Sequence, residues 1–486
     1  MADNLTSKVD YELLCKECDK ILFSCIENNS ISAIKLLHVL RSSKVELYKY
    51  KPIFSKSFFY RIFNTFVLIV KNILFAIYSF TSSIFYKKKY IVNDNNTDFL
   101  IISHYTGKKF VNHYADSYFG ELISELLTSG KVVTVAFINH TNENAPDLIS
   151  DKNCNRIVLD NTVSFMGTLS LYLNAIKSIS CIKKDKNVKI SSRIAFYAKI
   201  SLFSPSTINN LIIAEQVGRL AHMLSPKHII TTYEGHAWER LVFNITKKVN
   251  DKIKCIAYQH APIFKYQHAI KRDVGGDYDP DIILTTGLVS KKQLEKSNKL
   301  NSSKIIVLGS SRYIAAAVKN YKNKNTCLIV PEGEISECLI LFKFAMTYAA
   351  KNKHVDFIFR LPPIININQL VKLDGGFLNI SSNISISKNK LFDDIMASDT
   401  VLYRGSSVVV NCASCGLRPI YLKLNNELSI DPLHEIKCGK GVISSHKEFY
   451  DVLSEKVANK DIEALAEYCS NIYAPLDYKV LEGLVL

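Results

Sequence analysis

Groups that can move protons follow several apolar runs in the first part of this 486-residue chain. Glu234 and His236 come directly after HIITTY, His260 follows IKCIAYQ, and His104 follows DFLIIS. If these runs are parallel strands, their carboxyl ends share the sheet edge at which ligands of open α/β sheets bind. Glu234 can take a proton from a hydroxyl there, and we expect it to be the general base. His104 and His260 complete the predicted catalytic set, and the predicted acceptor-side residues are His236, Arg240 and Gln259.

The same residues allow a purely structural interpretation. Glu234 can cap the helix that follows it, and Arg240 can pair with a neighbouring charge. The shared location of several such groups at predicted strand ends is what favours a site.

A second candidate site lies in TVLYRGSSVVVNCASCGLRPIYL, residues 400–422. The apolar run breaks at Gly405-Ser406-Ser407 and resumes with helical spacing, which predicts a strand, a turn and a helix. Free N–H groups at a helix N-terminus favour binding of a phosphate. A serine N-cap in an ordinary βαβ unit is the alternative interpretation of the same residues. The residues predicted to bind the donor phosphate and its nucleotide are Ser406, Ser407, Arg360, Gly405, Arg404, Glu332, Gly333, Ser310 and Ser311.

Metal chemistry is not predicted. Cys15/Cys18 and Cys412/Cys415 have C-x-x-C spacing, but both pairs lie in helical patterns without a His or Cys at ligand spacing nearby. Small buried helix residues are therefore favoured over zinc. No D-x-D pattern follows a predicted strand, so we expect metal-independent chemistry without a bound cofactor.

Short apolar runs alternate with helical patterns from residue 98 onward, which predicts parallel sheets covered on both faces. Two consecutive series, separated near residues 310–325, indicate two open α/β sheets. The predicted units are a helical region at 1–97, a first Rossmann-like domain at 98–312, a second at 313–470, and a C-terminal helix at 471–486 that can cross back to the first. The predicted strands are 98–103, 131–138, 155–159, 228–232, 253–258, 281–285, 304–308, 326–330, 355–360, 383–387, 400–403 and 418–422.

The N-terminal region carries a membrane signal. Residues 8–41 predict two amphipathic helices, and residues 58–86 are almost uniformly apolar and aromatic. A charge in the middle of that run disfavours a clean membrane span, so a helix in the membrane interface is predicted, with a buried helical hairpin as the alternative. The residues expected to reach anionic lipid headgroups are Arg61, Lys71, Lys87, Lys88 and Lys89.

The net positive charge of the chain favours an acidic binding partner. The formal net charge is +16 and the pI about 9.1, and residues 41–90 hold ten Lys or Arg against one acid. Because this excess lies beside an apolar run, an anionic membrane is the simpler partner and nucleic acid is not expected. The start MADNLTSKVDYELL lacks the pattern of a signal peptide, which indicates a cytoplasmic protein with reduced thiols.

Taken together, the two sheets, FRLPP at 359–363 and RGSS at 404–407 resemble GT-B glycosyltransferases, and more specifically bacterial surface-polysaccharide enzymes that use CMP-activated Kdo or sialic-acid-type sugars. In that family a basic-His-Pro turn and a Ser-Ser or Gly-Ser turn hold the nucleotide. Here Leu361 stands in place of the His, so UDP, GDP and CDP donors stay open. The resemblance implies two Rossmann-like sheets facing across a cleft.

The activity that the resemblance implies is sugar transfer from a nucleotide sugar to a lipid-linked or polysaccharide acceptor, such as lipopolysaccharide or capsule, at the inner face of the cytoplasmic membrane. Two alternatives remain. One is a sugar-nucleotide epimerase of the same two-sheet fold, and the other is a basic nucleic-acid-binding protein without enzymatic activity.

Overall fold

The computed structural model describes residues 7–86, 97–107, 116–141, 148, 153–185, 188–315 and 325–485. The N-terminal region is helical. Apolar residues of its first four helices pack against later helices of the chain in one continuous core. The N-terminal helices are α1 (Lys8–Phe23), α2 (Asn29–Ser32), α3 (Lys44–Tyr48), α4 (Lys51–Phe54) and α5 (Phe58–Ile84).

The second helix predicted within residues 8–41 is not continuous. A single 3-10 turn covers Lys35–Leu37, and the chain then runs extended beside residues 267–269. The N–H groups of His268 and Ala269 donate to the carbonyls of Leu40 and Val39, each at 3.0 Å, and Arg41 forms a β-bridge with Gln267. The apolar side chains are buried as predicted, but they belong to a connecting segment.

The first sheet has seven parallel strands in the order β3-β2-β1-β4-β5-β6-β7. Its strands are β1 (Phe99–Tyr105), β2 (Val133–Asn139), β3 (Cys154–Val158), β4 (His228–Thr232), β5 (Lys254–Gln259), β6 (Ile282–Thr285) and β7 (Lys304–Val307). The helices of this part are α6 (Leu122–Thr128), α7 (Phe165–Ser178), α8 (Lys189–Ser201), α9 (Pro205–Leu224), α10 (Ala237–Val249) and α11 (Leu288–Glu295). Helices α8 and α9 are separate helices, because Ser204 caps α9 and Pro205 begins it.

The second sheet has six parallel strands in the order β10-β9-β8-β11-β12-β13. Its strands are β8 (Thr326–Val330), β9 (Asp356–Phe359), β10 (Ile384–Ile386), β11 (Thr400–Tyr403), β12 (Arg418–Leu422) and β13 (Gly441–Ile443). Its helices are α12 (Ile335–Lys351), α13 (Ile367–Leu373), α14 (Leu391–Ala397), α15 (Val408–Ser414), α16 (His446–Ser454) and α17 (Asn459–Ser470). The predicted fold class of two open parallel sheets is confirmed, and only the short edge strand β13 was missed.

The C-terminal segment passes from the second sheet to the first. Ile472 and Tyr473 are buried in the core of the second sheet, whereas α18 (Lys479–Val485) places Leu481 in the core of the first. At Gly309, where φ is +96°, a methyl group would collide with the backbone of Pro475. This glycine is therefore required by the crossing chain.

Candidate active site in the cleft

The turn between β4 and α10 is held by a buried carboxylate. Glu239 accepts hydrogen bonds from the N–H groups of Glu234, Gly235 and His236 at 2.8–3.1 Å. Gly235 has φ +86°, and a side chain there would collide with the backbone of Ala269. The turn is consequently rigid, and it leaves the side chains of Glu234 and His236 about one-third exposed at 33% and 30%.

Glu234 lies between two imidazoles. Its carboxylate is 3.4 Å from Nε2 of His236 and 3.7 Å from Nε2 of His260. Burial would raise the pKa of Glu234, but contact with His236 and the charges of His260 and Arg41 outweigh burial and lower it. Glu234 is therefore an ionised carboxylate at neutral pH and a weak proton acceptor.

The two imidazoles differ in basicity. Burial would lower the pKa of His236, but Glu234 and Glu239 outweigh burial and raise it above its ordinary value. Burial, together with the charges of Arg312 and His236, lowers the pKa of His260 to about 4. Of these three groups, His236 is the one whose pKa is raised from the ordinary range of histidine, which favours it as a proton acceptor.

A second histidine pair extends the site. Nδ1 of His104 is 2.8 Å from Nε2 of His140, and Nε2 of His104 is 3.0 Å from the hydroxyl of Thr232. The Tyr118 ring lies 4.7 Å from the His104 ring and 5.1 Å from the His260 ring, measured between centroids. Burial is the largest of the effects that lower the pKa of both His104 and His140. His140 was missed, although it follows the end of β2 and the strand-end rule points to it.

A cavity of about 290 Å³ with a mixed polar and apolar lining adjoins these groups. His104, His140, His236 and Trp238 form one wall. The cavity is also lined by the polar residues Lys35, Asn139, Asp160, Asn161, Ser206, Asn209 and Asn210 and by apolar residues, among them Ile138, Leu159, Ile212 and Ile213. Its amide and hydroxyl groups suit a ligand rich in hydroxyls.

Across the cleft, Glu332 and Gly405 belong to the second sheet. A methyl group at Gly405, where φ is +60°, would collide with the Glu332 carboxylate. Arg41 from the N-terminal region pairs with the same carboxylate at 2.6 Å. Since the charge of Arg41 also acts on Glu234, both sheets and the N-terminal region meet here.

Two arginines predicted to bind the donor are instead used inside the second domain. Arg404 is fully buried and pairs with Glu337 at 2.7 Å and Glu427 at 2.6 Å. Arg360 pairs with the buried Asp394 at 2.6 Å. Their guanidinium groups neutralise internal carboxylates, so the structure does not present them as free cations.

The other residues predicted to bind the nucleotide-sugar donor differ in their burial. Ser406 is buried and Ser407 is half-buried just before the seven-residue helix α15. Gly333 is exposed. Ser310 is buried, with its N–H donating to the carbonyl of Ala474 at 2.9 Å, whereas Ser311 is exposed and packs against Gly120.

Two predicted acceptor-side residues lie inside the first domain. Arg240 is fully buried, pairs with Asp279 and donates to the carbonyls of Ala269 and Arg272. The amide of Gln259 is taken up by Ala261 and Thr286. Neither side chain reaches the cavity.

Helix α5 buries polar side chains and exposes apolar ones. Its buried residues are Asn72, Ser79 and Ser83, whereas its outer face exposes large apolar side chains such as Phe59 at 83% and Phe63 at 65%. Among the described residues it is the one helix long and apolar enough to cross a membrane, a criterion that core helices and signal sequences also meet.

The predicted hairpin alternative is wrong, because α5 is a single helix with most of its surface exposed. Arg61 donates to the carbonyl of Ser55 at 2.8 Å, and Lys71 is exposed. Lys87, Lys88 and Lys89 lie outside the described residues. No group of three or more potential metal ligands occurs in the described part of the chain.

Two facing Rossmann-like sheets with polar strand ends in the cleft form the architecture that the sequence resemblance implies. The fold is GT-B-like.

Several solved structures are similar to the chain, but no protein-family model and no curated protein sequence matches it. An α,α-trehalose 6-phosphate synthase from Burkholderia multivorans matches with 10% identity, 80% of this chain and 97% of that chain covered, and a TM-score of 0.45. The glycosyltransferase SnogD from Streptomyces nogalater matches with 11% identity, 80% and 100% coverage, and a TM-score of 0.43. The glycotransferase of kitacinnamycin matches with 9% identity, 80% and 99% coverage, and a TM-score of 0.46. At this level of similarity no activity is assigned, and the functional conclusion rests on the site.

Proposed function

We propose that the chain is a glycosyltransferase that moves a sugar from a nucleotide-sugar donor to an acceptor hydroxyl. The observation that carries this proposal is the Glu234–His236 pair. His236 lines the cavity of amide, hydroxyl and apolar groups, and Arg41, whose charge acts on Glu234, pairs with Glu332 of the second domain. The first domain would supply a proton acceptor, and the strand ends of the second sheet are where open α/β sheets bind ligands such as nucleotides. This arrangement suits a transfer reaction in which two substrates are held together.

In this reaction the acceptor hydroxyl lies in the cavity lined by His236 and gives its proton to His236. Its oxygen bonds to the anomeric carbon of the donor sugar, and the bond from that carbon to the donor phosphate breaks with its electron pair leaving on the nucleotide. Glu234 orients the ring and stabilises the imidazolium that forms. We propose His236 as the base in place of Glu234 because His236 lines the cavity that would hold the acceptor, and because its pKa is raised whereas that of Glu234 is lowered.

The donor proposed first is a CMP-linked Kdo or nonulosonate-type sugar, supported by the resemblance of FRLPP and RGSS. The acceptor proposed is a lipid-linked or bacterial surface polysaccharide, and the site of action is the inner face of the cytoplasmic membrane. The exposed apolar face of α5 and the basic residues around it support the membrane part. Transfer is proposed to need no metal, so activity should persist in a chelator.

Thermal unfolding in the presence of CMP, CDP, UDP and GDP tests the donor. A nucleotide that binds the folded state raises its apparent stability by about 2.7 kcal/mol at one hundred times its dissociation constant. We expect one nucleotide to raise the midpoint, and no response to any of the four would contradict the transferase.

Product analysis separates the transferase from the epimerase. A transferase leaves the nucleotide sugar unchanged in configuration until an acceptor is supplied. Conversion of the nucleotide sugar to its epimer without an acceptor would favour the epimerase instead. Trp238, the single tryptophan of the chain, lines the cavity and provides a fluorescence signal for acceptor binding.

A further inference from the structure

The proposed reaction needs positive charge where the donor phosphate leaves, and the predicted arginines do not supply it. Arg404 and Arg360 are each neutralised by carboxylates of their own domain. A phosphate at Gly405 would also meet the Glu332 carboxylate, which lies directly against that glycine. Another cation must therefore offset Glu332 and the phosphate.

Residues 41–44, which we call the strap, reach this place from the N-terminal region. Arg41 pairs with Glu332 at 2.6 Å, the Ser42 hydroxyl donates to the carbonyl of Ser429 at 3.2 Å, and Lys44 pairs with Glu427 at 3.6 Å. All three contacts are with the second domain. The β-bridge of Arg41 to Gln267 attaches the same strap to the first domain.

The side chain of Arg41 is held over the cleft without being enclosed. Its guanidinium carbon lies 5.6 Å from the centroid of the Phe264 ring, and 32% of the side chain is exposed. Its partner Glu332 is only partly satisfied, since the second carboxylate oxygen is buried with no hydrogen-bond partner among the described residues. A guanidinium with exposed N–H groups can take a phosphate while keeping one carboxylate, because it has five donors.

Arg312 follows β7 of the first sheet, and its carbonyl accepts a hydrogen bond of 2.6 Å from the Asn411 amide of α15 in the second domain. It is half-buried, and its charge acts on His260 as that of Arg41 acts on Glu234. Within the described ranges no carboxylate lies at ion-pair distance from Arg312; its neighbours are the phenol groups of Tyr473 and Tyr118.

We infer that Arg41, together with Arg312, binds the phosphate of the donor nucleotide, and that Glu332 holds Arg41 in place until the phosphate arrives. The inference rests on the proposed function. It places the phosphate-binding charge on the strap and on the link between the sheets, and it removes that role from Arg360 and Arg404. The chemical class of the ligand is a nucleoside mono- or diphosphate.

Two substitutions should change phosphate affinity in opposite directions. Arg41→Ala removes the cation and should weaken binding of inorganic pyrophosphate, and of the nucleotide that stabilises the native chain, by about tenfold or more. Glu332→Gln removes the competing carboxylate and should strengthen pyrophosphate binding several-fold. Titration calorimetry on the full chain measures both, and pyrophosphate excludes effects on ribose or base contacts.

Lys44→Ala is the matched control, because it removes a strap cation that pairs with Glu427 and not with Glu332, and Glu427 keeps Arg404 as a partner. It should leave both affinities within about twofold. Equal weakening by Arg41→Ala and Lys44→Ala would show that strap integrity alone matters and would overturn the inference. Weaker pyrophosphate binding by Glu332→Gln would also overturn it.

The outcome for the native chain separates this inference from the proposed function. If no nucleotide binds the native chain, the transferase and the inference both fail. If a nucleotide binds the native chain and Arg41→Ala equally well, the inference alone fails. Circular dichroism of each variant without ligand establishes that it is folded.

Discussion

Glu234 and His236 are best understood as a pair in which the carboxylate sets the basicity of the ring. Glu234 raises the pKa of His236, and a base of raised pKa loses activity on the acid side as pH falls through that value. Glu234→Gln should therefore shift the acid limb of the pH–rate profile to lower pH and reduce kcat by about 100-fold or more. The profile is measured with the nucleotide sugar whose nucleotide stabilises the chain.

A control substitution tests whether the shift in the pH–rate profile is specific to Glu234. Glu121→Gln removes a carboxylate before α6 that accepts a hydrogen bond from the Ser124 hydroxyl at 3.0 Å, and it should leave the profile unchanged. An unshifted acid limb in Glu234→Gln would mean that His236 is not the base. Full loss of nucleotide binding in Glu234→Gln would show that the carboxylate serves the donor side instead.

The strand-end rule predicted which candidate residues lie near one another, because it depends only on topology. Glu234, His236, His260 and His104 do lie together at one sheet edge. The rule does not give side-chain direction, and so Arg240 was expected in the cleft although it points to Asp279, 39 residues away. An ion-pair partner that is distant in sequence, such as Asp279, cannot be identified from the residues around Arg240.

At the scale of elements, glycines mark where one segment crosses another. Gly309→Ala should destabilise the chain by about 3 kcal/mol or more, because the added methyl group meets Pro475 and the residue keeps φ +96°. Gly130→Ala is the control, since φ is +74° there and nothing lies within 4 Å, so only the backbone cost of about 1–2 kcal/mol applies. Urea unfolding measures the difference, and equal losses would mean that the crossing is not tightly packed.

Most elements were predictable because buried parallel strands are continuous apolar runs. The boundaries of β4, β8, β11 and β12 match the prediction to the residue. The helix predicted over residues 34–41 was wrong, because the apolar spacing there reflects burial of a connecting segment and not a helix. This is also why Arg41, which lies at the end of that segment, was never considered for the site.

At the scale of the whole molecule, the outer face of α5 has no cover in the described structure, and it is the surface that we expect to meet lipid. Burying an exposed Phe side chain contributes about 1.5–3 kcal/mol, and each basic residue near an anionic surface adds about 1 kcal/mol. Phe59→Asp with Phe63→Asp should therefore reduce sedimentation with phosphatidylserine vesicles by at least about tenfold. Binding by the native chain should also fall as salt is raised.

The control for this surface is an equal change on the second domain. Leu378 and Phe392 are 71% and 43% exposed there, and Leu378→Asp with Phe392→Asp alters net charge and exposed apolar area in the same direction. This variant should sediment with vesicles as the native chain does, because its changes lie on another domain. Equal binding by both double variants and the native chain would remove α5 from the membrane interface, and the acceptor would then have to be sought among soluble glycans.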